Sequence, residues 1–187
     1  KEKNIAIYAR AAFSAGRETI IRRFSSGTLV GVQAVVSEKL VERVRLYATD
    51  IHACFKDAVD YLEEQQVSIK EVNLAQVQAA GNQSTASFII STKNIYGWGQ
   101  IKTALQNNLS GKITFDANLA ALSLIGEGLN RNNLTLLQTI SLLADSQIPV
   151  LGVTTTSFRI SLLVPADQIE QSVSLCHARW VTHNESQ

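Results

Sequence analysis

Leu119-Ala-Ala-Leu-Ser-Leu-Ile125 opens the stretch that decides the fold. A Gly126-Glu-Gly128 turn follows, then an apolar-striped run from about Asn133 to Asp145. Two β-rich runs, Ile148 to Thr154 and Phe158 to Val164, are joined across Thr155-Thr156-Ser157, and a second helical run begins near Pro165 and ends near His177. The order is β-α-β-β-α, the split βαβ plan in which two helices cover one face of a small antiparallel sheet. The spacing predicts an α+β, ferredoxin-like unit over this stretch.

The preceding chain repeats the plan. Leu29 to Val36 is β-branched, and Val41 to Ala48 alternates as a strand does. Thr49-Asp50 reads as a helix cap, the Asp50 carboxylate serving the orphan N–H groups of the first turn. Phe55, Ala58, Val59 and Leu62 stripe one face of that helix, while Lys56, Asp57, Asp60, Glu63 and Glu64 lie on the other. Val67 to Leu74 is the next predicted strand, and Gln76 to Thr85, with Gly81-Asn82, is a polar hairpin loop. After the strand Ala86–Ser91, a second helix carries Trp98, Ile101, Leu105 and Leu109, Ser110-Gly111 closes it, and Lys112 to Phe115 returns as a strand.

Sliding the chain by 81 residues lays Leu62-Glu-Glu-Gln-Gln-Val-Ser-Ile69 over Leu143-Ala-Asp-Ser-Gln-Ile-Pro-Val150. A long-period repeat of one supersecondary unit outweighs any local propensity. The second copy has only Arg179 to His183 left for a fourth strand, and the alternating segment Asn4 to Ala12 has no partner before residue 29. The expectation is that residues 4–12 complete the second sheet, which makes the first unit an insertion in the second. Residues 1–28 are then a lead-in strand and linker, 29–116 the first domain and 117–187 the second. Glu18-Thr-Ile-Ile21 is too short to stand alone.

Composition bounds the function. Apolar residues make up 45 % of the chain, the share of a globular protein with an ordinary core. Seventeen basic and sixteen acidic side chains leave no long-range field to select nucleic acid or a membrane surface. No apolar run approaches the ~20 residues of a membrane span, and no signal-peptide pattern opens the chain. Two cysteines in 187 residues are no disulfide framework, so a cytoplasmic location is expected. Methionine is absent, position 1 included, which reads as a piece of a longer polypeptide.

Few motifs suggest chemistry. Gly126-Glu-Gly-Leu-Asn-Arg131 lies between a strand and a helix but places arginine where a dinucleotide loop needs its third glycine, so it reads as a tight turn. His52 and Cys54, with Cys176 and His177, have poor zinc spacing and read as buried thiols and helix-terminal histidines; no metal is expected. Arg17, Arg22 and Arg23 read as solvated loop charges rather than a phosphate site. There is no Ser/His/Asp set or recognisable carboxylate pair. The RNA-recognition motif shares this topology, but its basic, aromatic-rich strand is missing.

From Leu122-Ser-Leu-Ile-Gly-Glu-Gly-Leu129 through Arg159-Ile-Ser-Leu-Leu-Val164, the sequence resembles the C-terminal regulatory region of aspartate kinases, a pair of amino-acid-binding ACT domains. The family pattern is Ser-Leu-Val-Gly-x-Gly-Met, a helix, an Ile-Asn-Ile strand start, then Ser-Thr-Ser-Glu-Ile-Arg-Ile-Ser. Here Thr154-Thr-Thr-Ser-Phe-Arg-Ile-Ser161 stands for the last element, and Ser172-Val-Ser-Leu-Cys-His177 resembles the terminal Ala-x-x-x-Leu-His. Leu29-Val-Gly-Val-Gln-Ala34 looks like the start of the first ACT domain, and Glu18-Thr-Ile-Ile21 is similar to the family's Gly-Thr-x-Ile.

The resemblance implies a regulatory pair, non-catalytic in itself. The parent enzyme would phosphorylate aspartate on the way to lysine, threonine and methionine, with ATP and magnesium held in a separate catalytic domain and no cofactor in this chain. The kinase signature Lys-Phe-Gly-Gly-Thr is absent. The implied partners are that catalytic domain, a lysine or threonine effector, and a second copy meeting the first through its ACT domains. The effector would sit at the loop Thr49, Asp50, Ile51, His52 and Ala53 and the facing strand start Ser68, Ile69 and Lys70, with Asp50 and Glu71 as anions for an ammonium. The family's Asp-x-Pro-Gly loop keeps Asp50 but has His52 and Ala53 for Pro-Gly, and the second copy has Asn133 and Leu134 there. The family's strand-start asparagine is Ser68 in one copy and Pro149 in the other, and Pro149 has no N–H to offer a carboxylate. The alternatives are a free-standing or degenerate ACT interaction module without sensing, and a distinct enzyme or nucleic-acid binder on the same fold.

Overall fold

The computed structural model describes residues 31–76 and 84–181, together with the backbone of strands β1 (Ala6–Ala9) and β2 (Thr19–Arg22). The linker after β2 and the tip of the predicted 76–85 hairpin lie outside the described residues, as does the chain after Val181. The elements that follow are β3 (Gly31–Ala48), α1 (Ile51–Glu64), β4 (Lys70–Ala75), β5 (Ser84–Ser91), α2 (Trp98–Asn108), β6 (Ile113–Glu127), α3 (Leu134–Asp145), β7 (Gly152–Thr155), β8 (Arg159–Pro165) and α4 (Ile169–Trp180), the last preceded by a 3-10 turn at Ala166–Gln168.

Six of the strands form one antiparallel sheet in the order β4-β5-β3-β6-β8-β7. Two long strands are shared between the units. Val41 to Ala48 of β3 pairs with β5 on one side and with the start of β6 on the other, completing a βαββαβ unit with α1 and α2. Gly31 to Glu38 of the same strand pairs with Ala121 to Glu127 of β6, beside β8 and β7. The fourth strand of the second unit is therefore residues 31–38.

This corrects two expectations. The described part of the segment 4–12 does not enter the second sheet: Ala6–Ala9 pairs with Thr19–Arg22 in a separate two-stranded ribbon. Arg179 and Trp180 continue α4 rather than forming a strand. The physical reason is that the described part of the first run, 31–36, and the run 41–48 belong to one strand of 18 residues, long enough to serve both units. The first unit still lies inside the second in chain order, but the boundary at 117 falls within β6, a strand common to both.

Paired bulges divide the shared strands. The register shifts between Glu38 and Val41 and again between Val41 and Arg43, and Leu40 and Asn118 take positive φ of 59° and 60° there. Bulges bend a strand and increase its local twist. Beyond them, Val44, Leu46 and Ala48 face α1 and α2 in a core that includes Phe88, Ile90 and Leu105, while Leu122, Leu124, Ile160 and Leu162 build a second core under α3 and α4. The opposite, helix-free faces contribute a small third cluster of Val41, Ile89, Leu119, Ala121 and Leu163. Five strand spacings of about 4.8 Å separate β4 from β7 along the sheet. Glu71 of β4 nevertheless contacts Thr154 of β7, so the sheet folds back with its helix-free faces inward.

The 81-residue repeat is legible in the backbone. Gln66 and Gln147 both follow a helix end with positive φ, 57° and 60°. Val67 N donates to Leu62 O at 2.8 Å and Gln66 N to Glu63 O at 2.9 Å; Ile148 N donates to Leu143 O at 2.9 Å and Gln147 N to Ala144 O at 2.9 Å. Each end is a Schellman motif with its hydrophobic pair, Leu62 with Val67 and Leu143 with Ile148, all buried. The chain then runs extended for three or four residues, so β4 and β7 begin later than the sequence suggests, at Lys70 and Gly152.

Candidate functional site

The loop Thr49 to Ala53 ends β3 and opens α1. Asp50 Oδ1 accepts the Ala53 amide at 3.0 Å, the cap expected of it. Ile51 is buried and anchors the first turn, whereas Thr49, Asp50, His52 and Ala53 are exposed. N–H groups of a first helical turn have no intrahelical acceptor and lie at the positive dipole end, which suits a carboxylate. The second copy lacks this device. Asn133 caps α3 without a side-chain bond, and Asn132 Oδ1 takes the Leu134 amide at 3.0 Å instead. Pro149 is exposed in the run leading to β7.

Ser68, Ile69 and Lys70 follow the Schellman turn. Ser68 is exposed, Ile69 packs on the first core, and Lys70 forms an ion pair with Glu38 of the shared strand. These residues do not face the Thr49–Ala53 loop within one chain. Lys70 is opposite Ile89, which is opposite Arg43, whereas the loop begins after Ala48. Five residues of strand, about 16 Å, separate the two levels. The cause is the fold itself: α1 runs back along the sheet, so its end and the start of β4 lie toward the other end of the strands.

Sequence reasoning missed the contact that Glu71 makes. Between Lys70 and Asn73 the register of β4 slips by one residue, and Glu71 takes a positive φ of 53°. That bulge turns its carboxylate to the second unit, where Arg159 Nη2 donates to Glu71 Oε1 at 2.7 Å and Thr154 Oγ1 donates to Oε2 at 3.3 Å. Arg159 also donates to Ser123 Oγ at 3.2 Å and Ser161 Oγ at 3.1 Å. Burial alone would raise the Glu38 carboxyl, but hydrogen bonds from Lys70 and Ser91 and the nearby Arg159 hold it below its ordinary value. On the first unit's inner face, Arg43 Nε donates to Asp116 Oδ2 at 2.8 Å, Arg45 Nη2 to Asp116 Oδ1 at 2.6 Å, and Arg43 Nη1 to the Leu151 carbonyl at 2.6 Å. Burial opposes ionisation of Asp116 too, and the two guanidinium groups outweigh it. The only sequence signal for this network was alternation, which placed Arg43 and Arg45 on one face of a strand.

The cysteines are apart: Cys54 belongs to the first core and Cys176 to the second. Burial raises both thiols, Cys176 to about 11. His52 is exposed on α1, away from Cys176. Gly126 is part of β6 rather than a phosphate loop, and the turn proper is closed by Arg131 N donating to Gly128 O at 3.0 Å. No described helix is long and apolar enough to cross a membrane.

No protein-family model matches the chain, and no curated protein does. Solved structures do. The ligand-free regulatory subunit of aspartate kinase from Thermus thermophilus superposes with a TM-score of 0.65 at 15 % identity, over 79 % of this chain and 97 % of that one. E. coli aspartokinase III in complex with lysine and aspartate gives 0.67 at 14 % identity, over 94 % of this chain and 39 % of that one. Clostridium acetobutylicum aspartate kinase gives 0.68 at 12 % identity, over 87 % and 38 %. The chain thus spans nearly all of that regulatory subunit and about two fifths of the two kinase chains. Its fold is that of the aspartate kinase regulatory region, two ACT-like βαββαβ units with the first inserted in the second.

Proposed function

We propose that this chain is the regulatory, amino-acid-sensing region of an aspartate kinase-like protein. One observation carries the reading: its described architecture matches nearly the whole of an aspartate kinase regulatory subunit. An aspartokinase of similar fold is solved with lysine and aspartate, which makes lysine the first effector to test; threonine, the second, rests on the resemblance in sequence. Such a region acts by linkage. An effector that binds one arrangement of the units better than another biases the attached catalytic domain by that difference in affinity. ATP and magnesium would be bound by that domain.

The split between Thr49–Ala53 and Ser68–Lys70 bears on assembly. The two halves lie at different levels of one chain, and β4 is an edge strand of the sheet. Edge strands invite pairing with another chain. A second copy meeting the first through this unit would bring the loop of one beside the strand start of the other. The effector's carboxylate would then lie at the α1 N-terminus, with Asp50 near its ammonium.

Calorimetry with lysine and threonine at millimolar concentration, alongside light scattering, tests this. The expected result is a dimer that binds one of them and loses affinity on Asp50→Ala or Ser68→Ala. A monomer at high micromolar concentration that binds neither would overturn it. A dimer that binds neither would favour the second reading, an interaction module without sensing. The observation behind that reading is that Asp50 is already engaged in capping its own helix.

A further inference from the structure

Where the sheet folds back, the helix-free faces of the two units enclose a cleft of about 400 Å³. Ile89 and Leu163, both buried, form its apolar floor. Arg43 and Glu71 of the first unit line it together with Gly152 and Thr154 of the second. Pockets that take small molecules measure roughly 300–1,000 Å³, favour the seams between domains, and set a few polar groups over an apolar surface.

Three features suit a ligand with opposite charges at its two ends. Arg43 spends its Nε on Asp116 and its Nη1 on the Leu151 carbonyl, so its Nη2 has no protein acceptor among the described residues. Glu71 is turned to the cleft by a bulge in left-handed backbone, a conformation that clusters at ligand clamps. Room is kept at Gly152, where an added Cβ would meet Leu163 Cδ1 at 3.0 Å and Arg43 Nη1 at 3.3 Å. Counting Arg43, Arg45 and Arg159 against Asp116 and Glu71, the surrounding charges leave one positive, which favours a carboxylate.

We propose that this cleft binds a free amino acid, its α-carboxylate on Arg43 and its ammonium on Glu71, with the side chain over Ile89 and Leu163. The site is separate from the Thr49–Ala53 loop and does not rest on the regulatory reading. Because its walls come from both units, occupancy would tie the units' relative placement to the ligand.

The test is a titration of the ¹⁵N-labelled 187-residue chain with L-lysine, L-threonine, L-aspartate and, as a control, acetate. The expected result is saturable shifts of the Asn73, Ser87, Gly152 and Thr154 amides with at least one amino acid. Acetate should need about tenfold more, since it lacks the ammonium. Arg43→Met should weaken binding about tenfold or more, the usual cost of a lost charge-assisted hydrogen bond. Gly152→Ala keeps every charge and should weaken it by crowding Arg43, which covers the case in which Arg43→Met fails to fold. Shifts confined to Thr49–Ala53 and Ser68–Lys70 would overturn the cleft and leave the regulatory reading standing. Shifts at the cleft alone would support the cleft and overturn the Thr49–Ala53 site. Shifts in neither region, with all three amino acids at tens of millimolar, would sink both, and cleft shifts indifferent to Arg43→Met and Gly152→Ala would overturn the cleft.

Discussion

Arg159 on β8 and Glu71 on β4 stand 88 residues apart in the chain and 2.7 Å apart in the fold. Their side chains are 37 % and 13 % exposed, so the pair is partly withdrawn from water. It bridges the two units where the sheet folds back, and the Glu71 end depends on a bulge that no helical or strand periodicity announces.

Breaking the bridge should loosen the seam between the units. Arg159→Met leaves the Glu71 carboxylate largely buried without its cation, and should cost about 1–3 kcal/mol in urea unfolding. A double-mutant cycle with Glu71→Gln should show about 1 kcal/mol of coupling. Strict additivity would mean that the two side chains are near one another without stabilising the fold.

Acid should destabilise the protein through Asp116 and Glu38. Both carboxyls are held below their ordinary values in the folded state. The stability they contribute is therefore complete above the unfolded-state values and is lost as pH falls through the folded ones, from about pH 5 downward. Asp116→Asn should flatten that part of the curve measured by thermal unfolding. An unchanged slope would show that the Arg43–Asp116–Arg45 cluster is too well solvated to matter.

Glycine is required at 126 because two backbones meet there. A Cβ on Gly126 would fall 1.8 Å from the Gly31 carbonyl oxygen, so β3 or β6 must move. Gly126→Ala should destabilise by about 3 kcal/mol, the upper end for overpacking. At Gly99, on the exposed side of α2, nothing lies within 4 Å. Gly99→Ala should stabilise by about 0.5–1 kcal/mol through helix propensity. Calorimetric Tm values of the two variants decide between these opposite signs.

Asp50→Ala should cost about 1 kcal/mol by uncapping α1, and Asp50→Asn only a few tenths, because asparagine caps nearly as well. Equal losses in the two variants would mean that the charge at the helix dipole, not the hydrogen bond, is what stabilises the turn.

Both thiols should resist modification in the native state. Only the thiolate reacts, and Cys176 is buried with its thiol raised to about 11. Thiol titration at pH 8 should give no fast-reacting cysteine and two after unfolding in urea. One equivalent reacting within seconds without denaturant would place Cys54 or Cys176 outside its core.

The repeat of the split βαβ unit, the four helices and the 81-residue offset are properties of the sequence alone. Local apolar periodicity and the Leu62/Val67 and Leu143/Ile148 pairs at the helix ends are short-range patterns that any chain with this order of residues carries. The Asp50 cap was legible for the same reason, its donor being three residues away. Which segment completes the second sheet was decided by tertiary structure. Residues 4–12 and 31–38 are both β-prone, and only the continuity of β3 through the bulge at Leu40 delivers 31–38 to the edge of β6. The polar seam followed from the same folding back, because Arg43 with Leu151, Lys70 with Glu38 and Glu71 with Arg159 are encounters between distant segments. Their geometry depends on sheet curvature, a sum of bulges and twists over many residues that no single stretch of sequence expresses.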